Sequence, residues 1–167
     1  MTGTASLALA GSRNAWLIAF RRYLGFAAIA NLLWEFAHLP LYSVWTEGGW
    51  REIAFAAVHC TGGDVLIGTA ALVLALLLIG GGWPVDPRVY RQVAALTVSF
   101  GLAYTVFSEW LNIVVRKSWA YSELMPVIPI IDAGLSPVLQ WIAIPVAAFW
   151  LARRPIFVQP QPIEDLR

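Results

Sequence analysis

Four apolar runs, each about as long as a bilayer is thick, leave this chain few ways to fold. A hydrocarbon core of about 30 Å takes about 20 helical residues to cross, and only helices or closed barrels satisfy their own backbone inside it. The runs fall at roughly 23–45, 53–79, 93–115 and 135–152. They predict an all-α, integral membrane four-helix bundle, a single transmembrane domain over residues 1–155 with a flexible cytoplasmic tail at 156–167. The breaks are marked by Thr46-Glu47-Gly48-Gly49, by Gly80-Gly81-Gly82-Trp83-Pro84 with the charged stretch 86–91, by Arg116-Lys117 and by Arg153-Arg154-Pro155.

Composition agrees. Hydrophobic residues make up 59% of the chain and charged residues 13%, against about 25% charged in an ordinary soluble domain. Trp16, Trp45, Trp50, Trp83, Trp119 and Trp150 lie near the ends of the runs, where amphipathic aromatics anchor a protein at the membrane interface. The flanks and loops also carry an orientation signal, since basic residues stay cytoplasmic. Arg13, Arg21, Arg22, Arg88, Arg91, Arg153, Arg154 and Arg167 fall on one side, and only Arg51, Arg116 and Lys117 on the other. Both termini are therefore expected in the cytoplasm of a multi-pass protein of a bacterial-type inner membrane. The first dozen residues lack the pattern of a cleaved signal, so the first span is expected to be permanent. A net charge of +1 argues against a nucleic-acid partner. Cys60, the single cysteine, excludes an internal disulfide and reads as a small packing residue.

Against this apolar background the ionisable residues inside the runs stand out. Each costs roughly 2.5 to 3.5 kcal/mol near a bilayer centre. Counting 1.5 Å per residue puts Glu35 about 18 Å and His38 about 22 Å above the cytoplasmic end of the first span, and Glu109 about 24 Å up the third. On the same count His59, Asp64 and Gln140 lie about 9, 16 and 8 Å below the outer surface. All four spans thus bring polar groups to the outer half. Asn31, Glu35, His38 and Tyr42 recur at helical steps and form one stripe, as do Thr105, Glu109 and Asn112, and Ser136 with Gln140. Lipid cannot hydrogen-bond these groups, so the stripes should face inward. His59 and Asp64 would point about 140° apart on a regular helix, unless Gly62-Gly63 kinks the turn between them. The segment 118–134 is apolar for a loop and reads either as an ordered connection or as a lid over the polar chamber. It leads into Ser136 and Pro137, expected as the N-cap and first position of the last helix.

Interhelical polar contacts in membranes average only about 0.6 kcal/mol, too little to repay burying several acids for packing alone. A metal site is one reading, because Glu35 and His38 form a single E-x-x-H that Asp64, His59 and Glu109 can complete. A haem held by His38 and His59 is another. The reading carried forward needs no cofactor: acid–base chemistry on a lipophilic molecule, in which one carboxyl donates a proton while a histidine or second carboxylate accepts. Glu35, His38, Asp64 and Glu109 are the candidate catalytic groups. Asn31, Trp34, Tyr42, His59, Tyr104, Trp110, Asn112, Gln140 and Trp141 are the candidate substrate-binding groups, the indoles because their faces stabilise a passing cation. Membrane lipid is the surrounding partner, and a homo-oligomer is compatible with the chain.

Taken in order, Glu35 and His38 in the first span, Gly63-Asp64 in the second, Glu109 in the third, and Gln140-Trp141 with Pro145 in the fourth resemble the small four-span sterol-isomerase group built on the EXPERA domain. That group has its His and Glu in the opposite order and an Asn three residues before its Trp. The paired acids on separate spans are also similar in style to small membrane terpene cyclases. The resemblance implies an isomerase or cyclase acting on an isoprenoid- or sterol-like substrate, with Glu35 or Glu109 as proton donor, His38 as acceptor and Trp141 beside the cation.

Overall fold

A computed structural model describes residues 2–154, with side chains from Ala15 onward. The expected tail at 156–167 lies outside the described residues. The described residues are 77% helical, and among them four helices are long and apolar enough to cross a membrane. In order they are α1 (Thr2–His38), a short α2 (Val44–Glu47), α3 (Trp50–Ile79), α4 (Pro87–Glu109) and α5 (Leu135–Ala152). A 3-10 turn, Leu39–Leu41, follows α1, and a π-helical turn, Trp110–Val115, extends α4. The antiparallel strands β1 (Val127–Ile128) and β2 (Ala133–Gly134) precede α5.

Local chemistry sets the ends of these helices. Pro40 cannot continue α1, so the apolar residues up to Trp45 leave the first span and turn into α2. The span itself covers Ala15–Leu41 and starts upstream of the expected Tyr23, because Arg21 and Arg22 are carried on the helix. Glu52 reaches back to accept from the Gly49 N–H at 2.8 Å and opens α3. Asp86 caps α4, accepting from the N–H groups of Arg88 (2.7 Å) and Val89 (3.2 Å), and Pro87 takes the first helical position. This cap extends the third span back to Pro87, six residues before the apolar run begins. Gly82 turns the chain between α3 and α4 at φ +100, a conformation only glycine adopts freely.

The four long helices pack in a ring, α1 on α3, α3 on α4, α4 on α5 and α5 on α1. Sequence neighbours run antiparallel, as short connections require. Where the middle of α1 meets the last turn of α5, the Arg22 guanidinium donates to the Arg154 carbonyl at 2.6 Å, a cation meeting a helix C-terminus. The core there is aromatic. Tyr23 packs on Phe149 at 4.8 Å, Tyr90 lies edge-on to Phe149 at 5.6 Å and donates its hydroxyl proton to the Phe149 carbonyl, and Trp83 stacks on Tyr90 at 6.3 Å. Outward faces are apolar instead, with Ile29, Leu33, Leu66, Leu77 and Val146 all exposed. Asn31, Glu35, His38, Thr97, Thr105, Glu109 and Gln140 are buried. Apolar outside and polar inside is the distribution a hydrocarbon solvent selects.

Two local expectations give way, and a third segment takes one of its two expected forms. Gly62-Gly63 does not kink α3, which runs unbroken from Trp50 to Ile79. Gly134, not Ser136, takes the N-cap of α5, and no side chain caps that helix. The segment 118–134 is an ordered cap: Ser43 N–H donates to Ala120 O and Ser122 N–H to Leu41 O, each at 2.9 Å, and a two-residue hairpin pairs Val127 with Gly134.

A close approach at Gly101 fixes how α4 meets α5. A β-carbon there would overlap the Trp141 ring, which is buried and cannot retreat. Gly101→Ala is expected to cost about 1–3 kcal/mol by overpacking, read as an earlier unfolding midpoint in detergent. Gly63→Ala, with open space around its added carbon, should be neutral or stabilising by up to about 1 kcal/mol.

Candidate functional site

The inward stripe of α1 meets α3 and α5 at a single atom. Gln140 Nε2 lies 2.9 Å from Asn31 Oδ1, 3.1 Å from Glu35 Oε1 and 2.8 Å from Asp64 Oδ2. One amide NH₂ has two hydrogens for these three oxygens. Asn31 cannot ease the shortage, since its own amide donates to Ala27 O at 2.9 Å. The Asp64 carboxyl also faces the Glu35 carboxyl and the Trp141 indole. Two carboxyls, two amides and an indole from three spans thus form one cluster.

From Glu35 the network continues outward. His38 Nε2 is 3.0 Å from Glu35 Oε2, and Nδ1 is 3.0 Å from Ser136 Oγ. Trp34 donates its indole N–H to the same hydroxyl at 3.2 Å. Indole is only a donor, so the Ser136 proton is free to point at Nδ1. Neutral His38 then carries its hydrogen on Nε2, aimed at Glu35. Ser136 was read from the sequence as a helix cap. Since Gly134 holds that position, the hydroxyl serves His38 instead.

Glu109 belongs to a second group under the cap. Tyr121 donates its hydroxyl proton to the Glu109 carboxyl and accepts from the Gly134 N–H at 2.7 Å. Burial, then Glu109, pushes the Tyr121 phenol well above its ordinary range, so it remains a donor at any physiological pH. Tyr42 links the two groups, its ring 5.3 Å from His38 and 5.6 Å from Tyr121. Tyr121 had no sequence signal, since it lies in a loop at no helical spacing from Glu109.

The other candidates separate. His59 is exposed on the outer face of α3, stacked on Phe55 at 5.2 Å, because the unkinked helix turns it away from Asp64. A haem between His38 and His59 does not fit: one imidazole faces outward and the other has both nitrogens engaged. Tyr104 and Trp110 also face outward, 47% and 48% exposed, and line no chamber. Asn112 falls in the π-helical turn, whose wider repeat takes it off the Thr105–Glu109 stripe. Its amide is used on Ser108, at 2.9 Å to the carbonyl and 3.2 Å to the hydroxyl. Among the described residues, no group of three or more His, Cys, Asp or Glu side chains is placed to hold a metal ion.

Beside the cluster, a cleft between α1, α3 and α5 is lined by the buried Asn31, Gln140 and Trp141 and by the half-buried Asp64, Leu24, Val65 and Thr69, the last three forming its rim with the neighbouring helices. Its volume is about 10 Å³, the room one water molecule takes. Glu35 and His38 do not line it. Asp64 is the carboxyl a guest in the cleft would meet. Comparison with protein-family models, characterised proteins and solved structures finds no match. Fold and site together define a multi-pass α-helical membrane protein with a buried polar cluster.

Removing the shared donor should be costly. Gln140→Leu leaves three buried oxygens to find new partners and is expected to lose at least about 3 kcal/mol, measured by unfolding in mixed detergent. Tyr121→Phe removes a donor and an acceptor at the cap and should cost about 1.5–3 kcal/mol. A Tyr121→Phe protein as stable as wild type would show that Glu109 and Gly134 draw no stability from the phenol.

Proposed function

We propose that this chain is an enzyme of a bacterial-type inner membrane, with both termini cytoplasmic, that moves protons on a lipophilic isoprenoid- or sterol-like molecule in an isomerase- or cyclase-type reaction. The observation that carries this reading is the meeting of Asp64 and Glu35 at Gln140, beside a cleft that opens between spans. Two carboxyls at a shared donor cannot both be charged without severe repulsion in a low-dielectric site, so the arrangement favours one proton held between them. Asp64, on the cleft, is the proton donor in this scheme. Trp141, in the same wall, offers an indole face to a carbocation, an interaction of about 2 kcal/mol or more when desolvated. His38, behind Glu35, is the ultimate base. The distribution of Lys and Arg supports the orientation, and the resemblance to four-span sterol isomerases supports the substrate class.

A ligand of drug size fills about 300–1,000 Å³, so a substrate has to spread the rim at Leu24 and Val65 as it enters from the bilayer. Gly68 lies in the cleft wall, and a β-carbon there meets the Trp141 ring at 3.8 Å, an ordinary contact. Gly68→Leu should therefore plug the cleft against the Trp141 ring while leaving the Glu35, Asp64 and Gln140 side chains in place.

The test compares lipid extracts of cells producing wild type, Glu35→Gln, Asp64→Asn and Gly68→Leu proteins by untargeted mass spectrometry. One neutral lipid and its isomer should change in ratio by about a hundredfold in Asp64→Asn, in line with loss of a general acid, and change similarly in Gly68→Leu. Indistinguishable extracts from all four would defeat the reading.

A further inference from the structure

We propose that Ser136, His38 and Glu35 form a proton relay that recharges Asp64 from the aqueous face at the α5 N-terminus. It rests on the reading that Asp64 is the acid in the cleft. Ser136 is the second residue of the fourth span, at the membrane boundary, and is half-buried. Gln140, which bonds Asp64, lies four residues further in, about 6 Å along the helix. An acid that has given up its proton at that depth, behind an apolar rim and a water-sized cleft, has no short open path to bulk solvent. The side chains supply one instead.

The first two steps of the path are hydrogen bonds already described, and the last crosses between two carboxyls that meet at the Gln140 nitrogen. Ser136 Oγ is 3.0 Å from His38 Nδ1, Nε2 is 3.0 Å from Glu35 Oε2, and Glu35 faces Asp64 beside Gln140. Each member can give a proton on one side and take one on the other, which amides and indoles cannot do. Trp34 sets the direction by occupying a lone pair of Ser136, which leaves the hydroxyl proton for Nδ1.

After Asp64 protonates a substrate, the Nε2–H proton of His38 passes to the Glu35 carboxylate, and Glu35 hands it on to Asp64. The Ser136 hydroxyl proton moves to Nδ1, and a proton from the aqueous phase restores Ser136. One O–H or N–H bond breaks and one forms at each step, so one proton enters for each delivered. The imidazole ends as its Nδ1–H tautomer, and it is reset when the proton lost by the substrate cation reaches Nε2 through Glu35 and the Nδ1 proton leaves through Ser136. The remaining titratable groups around this path are Glu109, Tyr42 and Tyr121 on the cap side and Cys60 on α3. None of them stands between Ser136 and Asp64 in the hydrogen-bond chain.

Infrared spectroscopy of the full-length protein in liposomes tests the relay without a substrate. A carboxylic-acid carbonyl band that disappears in Asp64→Asn reports the proton on Asp64, and its shift on transfer to D₂O reports exchange with solvent. Ser136→Ala and His38→Phe should slow that exchange by about tenfold or more, and Ser136→Thr, which keeps the hydroxyl, should restore it. Unchanged exchange in Ser136→Ala overturns the relay and leaves Asp64 as an acid. Equal slowing in Ser136→Thr marks a packing effect and also overturns it. If no band depends on Asp64, both the relay and the acid assigned to the cleft are lost.

Discussion

One side-chain amide ties this bundle together at its polar end. Gln140, on α5, sits within 3.1 Å of oxygens from both α1 and α3, so three of the four spans are referenced to a single nitrogen. In water such a contact would compete with solvent and contribute little. In hydrocarbon no solvent competes, and an unpaired carboxyl or amide oxygen costs several kcal/mol. The placement of α1 against α3 and α5 is therefore dictated by polar satisfaction as much as by shape. The aromatic packing at the opposite end, Tyr23 and Tyr90 against Phe149, holds the same helices where little polar chemistry is present.

The network is more than hydrogen-bond accounting requires. The buried Thr97 needs nothing from other helices, since it bonds back to Val93 O at 2.8 Å within α4. Asn31 likewise uses its amide on its own helix. Glu35, His38 and Asp64 have no such local solution and recruit partners across helices. Apolar residues of similar volume would fill those positions without the desolvation cost. What the polar set adds is a continuous line of groups able to exchange protons, from the membrane boundary to the cleft.

Much of this was legible in the residues. The apolar runs marked four spans, and helical spacing put Asn31, Glu35 and His38 on one buried face. The 100° step per residue also separated His59 from Asp64, and only the idea of a kink at Gly62-Gly63 kept them together. What could not be read depends on caps and on chain geometry between helices. Asp86 and Pro87 looked like part of a charged loop, yet they cap and open α4. The π-helical turn that displaces Asn112 leaves no mark in hydropathy. Tyr104 and Trp110 were assigned inward on aromatic character alone, which does not distinguish a lipid-facing ring from a pocket wall. Ser136 and Tyr121 acquire partners only once the cap folds over the α1 end, because their partners lie 98 and 12 residues away.

The narrowness of the cleft is compatible with a site that opens toward lipid. Helices in a bilayer gain no hydrophobic free energy by touching, because lipid tails are as apolar as leucine. Parting Leu24 from Val65 and Thr69 exchanges side-chain contacts for contacts with a guest chain of the same polarity. The resistance to opening thus lies in the polar cluster, where Glu35 and Asp64 face each other across the α1–α3 seam. Gln140 belongs to the third wall and can keep hold of either carboxyl as the seam widens. A guest that brings no hydrogen-bonding group of its own leaves the other one exposed in hydrocarbon, which it can relieve only by keeping or taking up a proton. Entry of a lipophilic guest and protonation of the carboxyl that meets it are then coupled by the same scarcity of donors.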